Sequence, residues 1–228
     1  RTSESIGTSG TMLTPTGTPE VDPSLRAHTF CHCVPNKWYV MGVMLQAGGA
    51  FRWFRDTLAE KEVWQAKKED VDPYEILTKE ASQADAGCEG LIFLPYLIGE
   101  RTPHGDANAK GVFFGLTLRH KKEHLVRAVM EGVTYGMRDS LEIIKALGLE
   151  TGQIRATGGG ARSPFWRQMQ ADIYKSEVVT INIAEGPAFG AAILAGVGSN
   201  VYTSIEEATD RMVEITSTTQ PIEANTKV

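Results

Sequence analysis

Ile154-Arg155-Ala156-Thr157-Gly158-Gly159-Gly160-Ala161-Arg162-Ser163-Pro164-Phe165-Trp166 is the stretch on which the reading of this chain turns. A short β-like run ends in three consecutive glycines, and a proline then opens a segment with Phe165, Met169 and Ile173 at helical spacing. Proline suits the first turn of a helix, where its missing N–H would have no partner. Strand, glycine turn and helix start in that order expose backbone amides on a surface without Cβ atoms, against which a flat ligand or a diphosphate can lie. The same glycines would also allow a helix to pack closely on a sheet, so the motif alone leaves both readings open.

Working outward, residues 122–146 carry Val126, Val129, Val133, Met137, Leu141 and Ile144 three or four apart, which predicts a long helix stopped by Gly148. A strand is expected at 178–183, a Gly-Ala helix at 189–197 packed closely against its neighbours, a last helix at 206–213, and a frayed tail from Ser217. Helix and strand thus alternate in the second half, the pattern of an α/β domain. The first 45 residues differ, with strands expected at 29–34 and 38–45 joined by the turn Pro35-Asn36-Lys37. That hairpin-rich start argues against a purely parallel sheet. Between the halves we expect a helix after Gly48-Gly49 with Phe51, Phe54 and Leu58 on one face. A second helical section follows at 73–86, then a buried strand at 91–95. Residues 99–111 form a polar, heavily punctuated loop, either functional or a cover over a sheet edge.

The chain has 228 residues, enough for one substantial core, so a single compact domain is expected. Lys and Arg total 23 against 28 Asp and Glu, and a net charge of -5 disfavours nucleic acid while permitting a local anion pocket. Cys31, Cys33 and Cys88 cannot all pair within one chain, which favours a reducing, cytoplasmic setting. No apolar run reaches the roughly 20 residues of a membrane span. The first residue is Arg1 rather than Met, and we read the chain as a piece of a longer protein.

Gly7-Thr8-Ser9-Gly10 could bring amides and hydroxyls to a phosphate, although an ordinary tight hairpin has the same ingredients. It lacks the Lys and following Ser/Thr of a P-loop. His28, Cys31, His32 and Cys33 do not have zinc-site spacing, and alternation along a strand would separate them. Of Asp56, Asp85, Asp106, Asp139 and Asp172, the most interesting is Asp106 because of its loop; none carries a pattern that marks a base.

In chain order, Gly7-Thr8-Ser9-Gly10, His28-Thr29-Phe30-Cys31-His32, residues 42–53 with Ala47-Gly48-Gly49, Gly99-Glu100-Arg101-Thr102-Pro103 and residues 156–168 form a specific set. With it, the chain resembles the C-terminal lobe of the FGGY carbohydrate kinases over nearly its whole length. The resemblance implies an α/β fold, an actin-like (ribonuclease-H-like) ATPase lobe with a mixed sheet flanked by helices. Residues 1–228 would be a single C-terminal nucleotide-binding lobe, its N-terminal sugar-binding lobe absent. The implied reaction moves the γ-phosphoryl group of ATP, with Mg²⁺, to D-xylulose to give D-xylulose 5-phosphate. The resemblance puts Gly7, Thr8, Ser9 and Gly10 at a phosphate hairpin, Gly48 and Gly49 at a nucleotide-facing loop, and Gly158, Gly159, Gly160 and Ala161 at adenosine, with Ser163 nearby. It assigns no metal ligand to this chain. The family's base is an Asp upstream of the phosphate hairpin, so no catalytic residue is expected here and the isolated chain should be inactive. The missing lobe is the expected partner, holding most of the sugar, and the surface it leaves open could drive self-association. The alternatives are a lobe acting on another polyol or ketose, or a non-catalytic protein-interaction module on the same fold.

Overall fold

The computed structural model describes residues 1–183 and 186–227. β1 (Thr2–Ile6) buries Thr2, Glu4 and Ile6 and turns Ser3 outward, the alternation of a strand with one packed face. It pairs antiparallel with β2 (Gly10–Thr16), which pairs with β4 (Trp38–Met44), which pairs with β3 (His28–Cys31). On its other side β1 runs parallel to β7 (Ile154–Gly158), followed by parallel β8 (Val178–Ile181) and antiparallel β9 (Ile215–Thr219). Among the described residues the sheet order is β3-β4-β2-β1-β7-β8-β9, a mixed sheet with hairpins at one end and crossovers at the other. The turn before β4 forms as expected, with Asn36 at φ 59°.

α1 (Gly48–Leu58), α2 (Glu60–Glu69) and α3 (Pro73–Ala81) lead to a short ribbon of β5 (Ile92–Leu94) and β6 (Val112–Phe114). α4 (Lys122–Ala146) is the central pillar, packing on β2, β4, β5, α1 and α3, and on α5 (Pro164–Tyr174). Its close approach to β5 needs Gly132, where an added Cβ would lie 2.1 Å from the Phe93 carbonyl oxygen. The six apolar residues read as its stripe are all buried. α6 (Gly186–Gly198) and α7 (Ile205–Met212) pack on each other beside β8 and β9.

One buried ion pair ties α4 to the chain before β5. Arg127 Nε lies 2.7 Å from Glu131 Oε1, and Arg127 also donates to the Ala84 carbonyl at 2.7 Å. Glu131 accepts from the Gly87 amide and the Cys88 thiol. Burial, with Glu131 beside it, pushes the Cys88 thiol far above its ordinary pKa, so it is an inert packed thiol.

Three expectations are corrected and one element is added. Leu58 points outward, because α1 ends there and the chain turns into α2. α2 itself was not anticipated, since its Glu- and Lys-rich sequence has too thin an apolar stripe to announce a helix. The tail beyond Ser217 is not frayed, because 215–219 adds β9 to the sheet edge, with Ser217 Oγ 2.7 Å from Thr180 Oγ1. α6 is not closely covered: among its described side chains Ile193 is the buried one, and Leu194 is exposed.

Candidate functional site

A cavity of about 700 Å³ opens where the β1–β2 turn, the start of α1, the first turns of α3 and the glycine turn after β7 converge. Pairing of Ile6 with Gly10 leaves Gly7, Thr8 and Ser9 as an exposed three-residue tip. The Gly7 carbonyl accepts from the Gly48 amide at 2.9 Å, and the Thr8 carbonyl accepts from Ala47 and Gly49 at 3.0 and 2.9 Å. The hairpin and the N-terminus of α1 are therefore one unit, with the carbonyls of the first satisfying the open amides of the second.

On the facing side, the 3-10 turn Gly159–Ala161 leads from β7 to Ser163, which caps α5 by accepting from the Trp166 amide at 3.3 Å. Trp166 is buried, its indole N–H donating to Thr134 Oγ1 at 3.0 Å and its ring edge-on to Phe51. Phe51 in turn stacks obliquely on Tyr74. α3 begins at Asp72, whose carboxylate accepts from the Tyr74 amide, and this turn supplies Asp72, Tyr74, Glu75 and Thr78 to the cavity wall. Burial raises the Tyr74 phenol above its ordinary pKa, so it stays neutral at physiological pH. Arg52 and Arg162 also line the cavity, bringing two cations to a wall that includes glycines, aromatic rings, hydroxyls and the two acidic side chains of α3.

Of the residues singled out from sequence, Gly7, Thr8, Gly48, Gly159, Gly160 and Ser163 line this cavity. Ser9, Gly10, Gly49, Gly158 and Ala161 belong to the same segments but do not form its lining. The steric reason for each glycine differs. A Cβ on Gly49 would collide with Gln46 and the Thr8 carbonyl, one on Gly48 with the Gly7 carbonyl, and one on Gly160 with Ile6 at 2.7 Å. Gly158, at φ 78°, would meet the Ile6 carbonyl at 2.6 Å. At Gly159 the nearest neighbour would be 3.7 Å away, an ordinary contact, and at Gly7 3.8 Å. Internal packing thus accounts for Gly48, Gly49, Gly158 and Gly160 but not for Gly159 or Gly7, both of which face the cavity.

Sequence reasoning missed the α3 wall together with Phe51 and Arg52, while Arg162 and Trp166 lie within the glycine stretch it singled out. Asp72-Pro73 does announce a helix start, but nothing local says that α3, packed on α4, will stand opposite the glycine turn. Among the described residues no group of three or more His, Cys, Asp or Glu side chains is placed to hold a metal ion, and no helix is long and apolar enough to cross a membrane.

Residues 3–199 match the model of the FGGY family of carbohydrate kinases, C-terminal domain. A xylulose kinase of Staphylococcus epidermidis is 40% identical over 221 residues, covering 97% of this chain and 42% of that protein. A gluconokinase of Bacillus subtilis is also 40% identical, over 224 residues, covering 97% of this chain and 43% of the relative. The crystal structure of ligand-bound xylulose kinase from Lactobacillus acidophilus superimposes with a TM-score of 0.86 at 30% identity, over 99% of this chain and 44% of that one. The chain therefore spans less than half the length of the relatives it matches.

Proposed function

Because this chain belongs to the FGGY family of carbohydrate kinases, matching its C-terminal domain, we propose that it is the nucleotide-binding half of a sugar kinase. The reaction proposed for the whole enzyme is transfer of the ATP γ-phosphoryl group to D-xylulose, giving D-xylulose 5-phosphate. The observation that carries the nucleotide half of this reading is Gly159, a cavity-facing glycine whose missing side chain no internal neighbour requires. A surface without a Cβ, beside buried Trp166 and Phe51, suits the flat base of a nucleotide. Gly7 and Thr8, bonded to the start of α1 and sharing the cavity wall with Arg52, suit its phosphates.

The residues present fit a nucleoside di- or triphosphate in size, and Arg52 and Arg162 supply cations for its phosphates. Mg-ATP, when bound, supplies the phosphoryl group. In our reading Gly159, Gly160 and Ser163 hold the adenosine end, Gly7, Thr8 and Gly48 the phosphate end, with Ser9, Gly10, Gly49, Gly158 and Ala161 shaping the segments behind them. Mg²⁺ would enter with the nucleotide and offset charge on its phosphates. In our reading the base that takes the sugar proton and most of the sugar contacts come from the other lobe. The isolated chain is accordingly a nucleotide binder without sugar kinase activity.

The equal identity to a gluconokinase favours a second reading of the sugar alone, an open-chain acid such as gluconate in place of the ketose. The test of the nucleotide half is calorimetric titration of the chain with Mg-ADP and with Mg-ATP. Saturable one-site binding is expected. A folded chain that takes up neither would favour the alternative of a protein-interaction module on the same fold.

A further inference from the structure

We propose that Glu100 is a positioning residue for the phosphate end of the cavity, acting through the end of β4 and the start of α1; the inference rests on the nucleotide reading above. β3 is too short to cover its neighbour. Its pairing stops at His28 opposite Met41, so the backbone of Val43 and Leu45 faces an edge that no strand among the described residues occupies. The polar loop at 99–111 takes that place. Thr102 donates its amide to the Val43 carbonyl at 3.0 Å, and its hydroxyl accepts from the Val43 amide at 3.1 Å while donating to the Arg26 carbonyl at 2.7 Å. Glu100 completes the edge, its Oε1 accepting from the Leu45 amide at 2.9 Å and from the Arg101 amide at 2.7 Å.

Two residues beyond Leu45 the chain reaches Ala47, Gly48 and Gly49, whose amides hold the carbonyls of Gly7 and Thr8. The Glu100 carboxyl is thus linked to the hairpin tip by its bond to Leu45, the short backbone step through Gln46 and the amides of 47–49, though Glu100 does not line the cavity. The arrangement is costly. Glu100 is 2% exposed, and its Oε2 has no partner among the described residues. A buried, half-satisfied carboxyl adds little to stability. It does add direction, because a side chain reaching from a separate loop sets the height at which β4 delivers α1 to the hairpin.

The test compares the chain with Glu100→Ala, Glu100→Gln, Thr102→Val and Leu141→Ala. Gln keeps an acceptor oxygen where Oε1 stands and Ala does not, while Leu141→Ala destabilises the α4 core away from the cavity. Two readouts are used, Mg-ADP affinity and peptide-resolved amide hydrogen exchange without nucleotide. Glu100→Ala is expected to speed exchange at 45–49 and at 7–10 and to weaken Mg-ADP binding about tenfold, the scale of one lost hydrogen bond. Glu100→Gln should stay near the parent in both readouts, and Thr102→Val should disturb the same segments less than Glu100→Ala. Leu141→Ala should lower the melting temperature with both segments and the affinity unchanged. The proposal is overturned if the faster exchange stops at Leu45, if Gln behaves like Ala, or if Leu141→Ala loses as much affinity as Glu100→Ala. A parent that takes up no Mg-ADP overturns the nucleotide reading itself, whereas a binding parent whose Glu100→Ala variant keeps its affinity overturns the role of Glu100 alone.

Discussion

Stability and nucleotide affinity should move in opposite directions across the three consecutive glycines at 158–160. At Gly160 an added Cβ falls 2.7 Å from Ile6 Cβ and 2.9 Å from its Cγ2, inside a close-packed contact. Overpacking of this kind costs about 1–3 kcal/mol, which in a chain of this size lowers the melting temperature by roughly 2–12 °C. Gly158→Ala should be at least as harmful, since the new Cβ would meet a carbonyl 2.6 Å away and the residue must hold φ 78°. At Gly159 the nearest atom is 3.7 Å away, so Ala there should be neutral or stabilising by about 0.4–1 kcal/mol through loss of unfolded-state freedom. Gly159→Val puts three carbons on the cavity wall and should weaken Mg-ADP binding at least about tenfold, or 1.4 kcal/mol. The assay pairs thermal melts with calorimetric titration for each variant. A well-folded Gly159→Val chain that binds Mg-ADP like the parent would remove the glycine turn from the site. A Gly159→Ala chain as unstable as Gly160→Ala would show that the steric distinction between the two positions is wrong.

Three further outcomes are expected. Glu4 is fully buried with the Tyr174 hydroxyl donating to it, and burial raises its pKa to about 7 from 4.5. The folded state thus holds a proton that the unfolded chain releases, so this contribution to stability is present below about 4.5 and lost as pH rises through about 7. Urea midpoints measured from pH 5 to 8 should fall with pH, and Glu4→Gln should flatten that slope; equal slopes in both would contradict it. Asp22 behaves in the opposite sense, its pKa lowered to about 2 by Arg26, so stability gained above 3.8 is lost as pH falls towards 2, and Asp22→Asn should remove that acid limb of the same profile. Thr134→Val leaves the buried indole N–H of Trp166 without its acceptor and should cost about 1–3 kcal/mol in a chemical denaturation measurement, whereas a change under a few tenths would mean that the indole finds another partner.

The sequence made the second half of the fold legible because its signals are local. Val126 to Ile144 repeat at helical spacing, Gly148 takes a positive φ at the end of α4, and Ser163-Pro164 opens α5. The hairpin tip and glycine turn were legible for the same reason. What lay hidden depends on long-range packing. The α3 wall reaches the cavity because α3 rests on α4, and β9 forms because β8 presents an open edge to a Thr- and Ser-rich segment of no strong propensity of its own. Glycine runs were ambiguous for a physical reason too. The same residue type serves Gly160, where Ile6 presses on the backbone, and Gly159, where Ile6 stays at ordinary contact distance, and only the tertiary packing separates the two.

β1 sits between β2, its immediate successor, and β7, which lies about 150 residues further along. At synthesis rates of about 5–20 residues per second, a strand at the centre of the finished sheet waits roughly eight to thirty seconds for its second neighbour. Throughout that interval one edge of the β1–β2–β4 meander stands open to other nascent chains. The early hairpins assemble quickly from near neighbours, but the floor of the cavity exists only when β7 arrives and the glycine turn closes over Ile6. The pocket is thus a late feature of synthesis, formed after the hairpins and before β8 and β9 finish the sheet, and a chain stopped short of residue 158 would have the hairpin without the pocket.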